Sequence, residues 1–347
     1  MSASSRRIFM KTLGISSFFL SHSEILSPKP VFANTNDKVD IGVCKKLTIT
    51  SISEVGWWDS KKLLEDFAKA GGKDITQWEM FFDSKNSAGC SSMIDMEDIV
   101  GTHHKFLLDT GWNLKYMDRR YKEMGIDRML KNGEIEFLYI SHEHFDHLWG
   151  LETTLKYRPD IKIIVPETFY REAYHLMRGA EFMVPGVRNR IHHEGEVIQL
   201  APGGIHKLFD GCASVVFDIP IPPGIRGEQS LYFNVKDRGI VCVTGCCHQT
   251  IITFAEYAMN HILGGENLYG VYGGLHISPM GSLTPEKEKM IQDMKQFGFR
   301  KIAVNHCTGL PAVKKMIELG YPVVRGTGRF GSISDLYVGN GDSVTFG

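Results

Sequence analysis

Short β-branched runs alternate along the chain with segments whose apolar residues fall three or four apart. Residues 46–52, 105–108, 135–140 and 161–165 predict strands in the first half, and 214–219, 231–235 and 239–243 in the second. Helical spacing predicts a helix over 114–130, another over 166–177 and a third over 251–263. The last third is marked most sharply. Thr284, Pro285 and Glu286 form an N-cap, a first-position proline and a first-turn acid, after which Met290, Ile291, Met294 and Phe297 share one face and Gly298 stops the helix. A strand over 301–304 and a helix over 310–319, ended by Gly320, follow. Strands in quick succession with single helices between them predict a layered α/β domain. Residues 170–206 have weak periodicity and many charges and read as an insertion near the mouth of a site.

The N-terminus has a different pattern. Arg6-Arg7-Ile8-Phe9-Met10-Lys11 precedes a short apolar stretch, and Val31-Phe32-Ala33 offers small residues at signal-peptidase spacing. Residues 1–33 therefore read as a secretory signal. The paired arginines followed by Phe and Lys resemble the twin-arginine type, which implies the twin-arginine export machinery as a partner and a periplasmic or otherwise exported location for residues 34–347. His22 and Glu24 interrupt the apolar stretch, against a permanent anchor.

Composition then narrows the function classes. The 347 residues are 43% hydrophobic and 23% charged, an ordinary globular mixture. The 39 Lys and Arg nearly balance 40 Asp and Glu with no basic stripe, which disfavours a nucleic-acid partner. No apolar run is long enough for a membrane span. Seven cysteines leave at least one outside any intrachain disulfide set, and four stand in the segments richest in metal-type residues. The informative excess is histidine, 14 in all, several in tight groups.

The decisive group is Ser141-His142-Glu143-His144-Phe145-Asp146-His147, directly after an apolar strand. Imidazole and carboxylate are ligands for zinc and similar ions. His142 and His144, two apart, point the same way on extended chain, while Asp146 and His147 fall on the next turn and can face a second ion. One short segment can thus serve two metals close together, an arrangement suited to hydrolysis.

These residues resemble the metallo-β-lactamase superfamily, whose H-x-H-x-D-H signature they match in full. The resemblance implies an α/β, four-layer αββα sandwich over 34–347, with Asp109 supporting the site from behind. Flavodiiron-type relatives are excluded, because they carry a glutamate where this chain has His144. Gly245-Cys246-Cys247-His248, Gly273-Gly274-Leu275-His276 and His306-Cys307-Thr308-Gly309, together with Glu228-Gln229-Ser230-Leu231, resemble the branch named for dihydropterin ribofuranosylaminobenzene phosphate synthase. By that resemblance His248 and His306 are further ligands. Cys246 holds the place of the superfamily's bridging aspartate, as ligand or as a buried thiol. Cys247 replaces the branch's serine. His276 ligates, donates a proton or contacts substrate, and Asp146 is a ligand or a general base.

The implied cofactor is zinc, one or two ions, with manganese or iron(II) as alternatives. The implied activity is a metal-dependent hydrolase that directs a metal-bound hydroxide at an ester, lactone, sulfate-ester or phosphoester of a small molecule. The alternatives are a pterin-linked transferase and a non-catalytic metal-binding protein on the same scaffold. Trp57 and Trp58 are candidates for one wall of the pocket.

Overall fold

The computed structural model describes residues 38–55, 59–72, 76–80, 86, 88–179 and 189–347. The signal segment and Trp57-Trp58 lie outside them. Among the described residues thirteen strands form one hydrogen-bonded sheet, ten of them on a single path, and it folds into two halves. The first half runs β1 (Cys44–Ser53), β2 (Ser91–Asp98), β3 (His103–Leu108), β4 (Phe137–Tyr139), β5 (Lys162–Pro166) and β6 (Val197–Leu200). The second half holds β7 (Ile205–Phe209), β8 (Cys212–Ile221), β9 (Ile225–Val235), β10 (Gly239–Thr244), β11 (Leu268–Gly274) and β12 (Lys301–Asn305). β13 (Ser343–Phe346) pairs antiparallel with β1, and a single parallel pair, Cys44 with Val235, joins β1 to β9.

Side-chain alternation places the halves face to face. In β3 Phe106 and Leu108 point one way and Leu107 the other, and in β10 Val241 and Val243 point one way and Cys242 the other. Phe106, Leu108, Val241 and Val243 share one core with Leu47, Ile94, Phe233 and Tyr272. This is the dry interface between two sheet halves. Leu107, Leu138 and Ile163 face outward into a second core, covered by α2 (Leu114–Met124), α3 (Ile126–Lys131), α5 (Leu151–Leu155) and α6 (Arg171–Met177). Ile240, Val271 and Ile302 build a third, covered by α7 (Ile251–His261), α8 (Pro285–Asp293) and α9 (Leu310–Glu318). Three cores separate four layers, helix, sheet, sheet, helix, as expected. No helix of the described residues is long and apolar enough to cross a membrane.

Several sequence expectations change in detail. The helix expected over 114–130 is two, α2 and α3. Gly125 between them sits at φ 72°, the left-handed cap that ends α2, and there the chain turns. The expected helix over 166–177 begins only at Arg171, because Pro166 still belongs to β5. Thr284 caps α8, its hydroxyl accepting from Lys287 N, but the regular helix ends at Asp293 and a 3-10 turn over Met294–Phe297 carries the chain to Gly298. β2, β6, β7, β11 and β13 form beyond the expected strands. In the stretch 170–206, α6 and β6 are formed, β6 pairing parallel with β5 at the sheet edge, and residues 180–188 are not described.

The order of strand directions positions the chemistry. β3, β4, β5 and β6 run parallel to one another, as do β10, β11 and β12. Helices return the chain between them, so their C-terminal ends gather on one side of the molecule. Asp109 leaves β3, His142 follows β4, Cys246 follows β10, His276 follows β11 and His306 follows β12.

Candidate metal centre

After β4 the chain bends at Ser141, runs through His142 and Glu143, and starts a four-residue helix, α4 (Phe145–Leu148), with His144 at its N-cap position. His142 and His144 consequently converge, with His142 Nε2 lying 3.0 Å from His144 Nδ1. Glu143 points away, and its carboxylate accepts from Tyr170 N at 3.1 Å. Burial pushes the Glu143 carboxyl up to about 8. The helical turn brings Asp146 and His147 round to a second position, where Asp146 Oδ2 lies 3.4 Å from His306 Nε2.

Two sets of donors result. In one, His142, His144 and His248 each offer an atom and all three atoms lie within 4.8 Å of one another; in the other, Asp146, His147 and His306 do the same. Cys246 stands between them, its sulfur 3.1 Å from His147 Nε2 and grouped with both His142 and His147. All seven residues named above as candidate ligands are therefore together. His276 is nearby rather than among them. Its ring centroid lies 4.4 Å from that of His248, it is exposed, and it forms a further group with Cys246 and Cys307. The pairs His103-His104 and His192-His193 are elsewhere, bonded to Asp95, Glu136 and the carbonyls of Arg178 and Ile161.

The supporting groups are carboxylates. Asp109 is fully buried, accepts from Ser141 N at 2.7 Å and from Ser141 Oγ at 2.8 Å, and holds His147 Nδ1 at 2.6 Å. Orienting a ligand ring through its second nitrogen is the usual task of such a group. On the other side stands Glu228, to which its motif alone assigns no role. It is fully buried on β9 and accepts from the backbone N–H of Cys246 at 3.0 Å, Cys247 at 2.8 Å and His248 at 2.6 Å, and its Oε2 lies 3.1 Å from His248 Nδ1. One carboxylate thus shapes the loop that carries two candidate ligands.

Backbone strain marks the same place. Asp109, Cys247, His276 and His306 have φ between 46° and 62°, a region non-glycine residues rarely adopt. Gly245 is required for close approach, since a Cβ there would lie 2.2 Å from Ser141 Oγ and 2.9 Å from Asp109 Oδ2.

The electrostatics suit a cation. Burial, then the neighbouring imidazoles, hold His142 and His144 well below the ordinary histidine value, so both rings are neutral lone-pair donors. Burial opposes charge on His306 too, but the Cys307 sulfur and Asp146 outweigh it and raise that group to about 9, so an ion binding there must displace its proton. Burial, Cys307 and the carboxylates of Asp146 and Glu228 push the Cys246 thiol up, so an ion binding there displaces its proton. The donors fit a transition metal on one further observation. The Nε2 atoms of His144 and His248 are buried without a hydrogen-bond partner, which is costly unless something else engages them.

Fold and site together define a metallo-β-lactamase fold, and the comparisons agree. The metallo-beta-lactamase superfamily model matches residues 99–226, a span that contains Asp109 and the whole of His142–His147. A metal-dependent hydrolase of the beta-lactamase superfamily superposes with a TM-score of 0.52 at 18% identity, covering 87% of this chain and 98% of its own. In sequence the chain is similar to 7,8-dihydropterin-6-methyl-4-(beta-D-ribofuranosyl)-aminobenzene-5'-phosphate synthase of Methanocaldococcus jannaschii. The two are 25% identical over 267 residues, 66% of this chain and 84% of that protein.

Proposed function

We propose that the chain is a metal-dependent hydrolase of a small molecule, with zinc as its ion, one or two per chain, or manganese or iron(II) in its place. The observation that carries this reading is the pair of three-donor sets with Cys246 between them, three of whose buried ring nitrogens, on His144, His248 and His306, have no hydrogen-bond partner. His142, His144 and His248 would hold one ion and Asp146, His147 and His306 another, with Cys246 between. A divalent ion bound there lowers the pKa of water towards about 7 and polarises an acyl, sulfuryl or phosphoryl centre.

The chain's own residues do the rest. Asp109 fixes the His147 ring, and Glu228 fixes His248 and its loop. Asp146, or His276 at the exposed rim, is placed to pass a proton to the leaving group. The test is chelation followed by reconstitution with zinc, manganese or iron(II), with turnover measured on esters, lactones, sulfate esters and phosphodiesters. Activity that vanishes and returns with the ion supports the reading. Tight ion binding with no turnover on any of them points to a non-catalytic metal-binding protein.

A second reading, a pterin-linked transferase, is favoured by the likeness to the Methanocaldococcus synthase. Condensation of a dihydropterin with a ribosylated aminobenzene phosphate by the reconstituted protein would establish it. Export is part of the first reading and rests on Arg6-Arg7 and the apolar stretch after them. Replacing both arginines by lysine and fractionating the cells tests it, since an exported protein is then retained in the cytoplasm.

A further inference from the structure

Cys307 belongs to neither donor set, yet the fold brings its sulfur to the thiol that lies between them. Cys246 follows β10 and Cys307 follows β12, and β11 runs between those two strands in the sheet. A side chain on β11 at that level would keep the thiols apart. Gly274 stands there instead, where a Cβ would lie 2.5 Å from Cys307 Sγ and 2.6 Å from the Gly245 carbonyl. Its φ is not positive, so close approach and not backbone conformation calls for glycine. Across that gap Cys246 Sγ, Cys307 Sγ and a ring nitrogen of His276 all lie within 4.8 Å of one another. The Cys307 thiol donates to the Cys246 carbonyl at 3.6 Å, and its sulfur accepts from His276 N at 3.2 Å. Both cysteines are buried, but Cys307 also lines a cavity of about 300 Å³ whose wall includes the exposed Met280 and Ile333. That is ample room for a molecule of the size of water or hydrogen peroxide to reach the sulfur.

We infer that Cys246 and Cys307 are a reversible oxidation site: a peroxide joins them as a disulfide when no ion engages Cys246, and the disulfide and the ion exclude each other. The joining of the thiols does not depend on the hydrolase reading. The exclusion rests on the placement of Cys246 between the two donor sets. A disulfide needs its sulfurs at about 2 Å, so rotation about the Cα–Cβ bonds closes the remaining distance, through the space Gly274 leaves free. In the first step the Cys307 sulfur bonds to one peroxide oxygen, the O–O bond breaks, and the other oxygen leaves as water with the thiol proton. In the second the Cys246 sulfur bonds to the Cys307 sulfur, the S–O bond breaks, and a second water leaves with the Cys246 proton. The two thiols lose two electrons and the peroxide gains them; a dithiol reductant reverses the change. Only a thiolate ligates a metal, so the disulfide withdraws Cys246 from the ion, and a bound ion withholds Cys246 from the second step.

The test treats chelator-stripped protein with one equivalent of hydrogen peroxide, blocks the remaining thiols, digests without reduction and reads the peptides by mass spectrometry. The expected product links the peptides that carry Cys246 and Cys307, with two of the seven thiols lost. Zinc-loaded protein is expected to form the link at least about tenfold more slowly, and the linked protein to bind zinc at least about tenfold more weakly until a dithiol restores it. Cys247→Ser, which spares the pair, is expected to link as the parent does, and Cys307→Ser to form no link. Oxidation that stops at a sulfur acid on Cys307, or a link made through Cys90 or Cys247 instead, overturns the inference. A linked protein that binds zinc as tightly as the reduced one overturns the exclusion. If the reduced parent holds no zinc, the metal reading fails separately, and the link alone then decides whether the two thiols are a pair.

Discussion

Replacing Glu228 by glutamine removes one charge and changes almost no volume, so it isolates what that carboxylate does. Its two oxygens accept from three backbone N–H groups and approach His248 Nδ1, and the carboxylate itself is fully buried. A glutamine keeps one acceptor oxygen and turns an NH2 group toward the remaining donors, whichever way the amide is set. At least one buried N–H then faces another donor. Hydrogen bonds to a charged group contribute about 1.5–3 kcal/mol each, and a stranded buried donor costs about 1–3 kcal/mol. Relief from burying an ion offsets part of this. The expected loss is about 3 kcal/mol for the metal-free protein, read from the shift of its urea unfolding curve at constant slope. The same variant is expected to bind zinc more weakly, because the loop bearing Cys246 and His248 loses its template. A shift under about 1 kcal/mol together with unchanged zinc affinity would refute the assignment of Glu228 as the organiser of that loop.

Other consequences can be measured independently. Gly245→Ala forces a Cβ against Ser141 Oγ and is expected to lower ion affinity even where the fold survives, read by competition with a chromophoric chelator. Cys246→Ser is expected to abolish the near-ultraviolet thiolate charge-transfer absorption of the cobalt-substituted protein, whereas retention of that band would remove Cys246 from the site. Asp118 on α2 sits between Lys122 and Lys156, each 2.8 Å away, and accepts from Tyr157. Partial burial opposes its charge, but these partners outweigh it and hold the carboxyl well below the usual carboxylate range. Its contribution to stability is therefore present above the unfolded-state value near 4 and disappears as pH falls through the folded one. Asp118→Asn should cost up to about 1 kcal/mol at pH 7 and progressively less in acid, and a gap that widens as pH falls would contradict this sign.

What could be read from the sequence was what depends on near neighbours. His142 to His147 declares itself because its donors are close in sequence, and in the structure a bend at Ser141 followed by the helical turn of α4 brings them together. The N-cap of α8 is equally local. The break at Gly125 was missed because apolar spacing continues through it, and only the left-handed φ turns the chain. β2 escaped notice because Met93, Asp95 and Glu97 alternate with Ser92, Ile94 and Met96, and the polar members conceal the period. Glu228 was harder still. Its partners are 18 to 20 residues away, and nothing in its own segment says that three backbone donors will be folded onto it. The four-layer arrangement came by resemblance to a family and not from periodicity, which yields strands but not which faces meet.

The central claim is that residues from three strand ends form a cage for a Lewis-acidic ion, and metal content by mass spectrometry on desalted protein tests it most directly. The account predicts that zinc-loaded parent protein retains stoichiometric ion and that His142→Ala combined with His144→Ala loses it while remaining folded by circular dichroism. A parent protein that retains no ion after loading, or a double variant that holds as much as the parent, would contradict it.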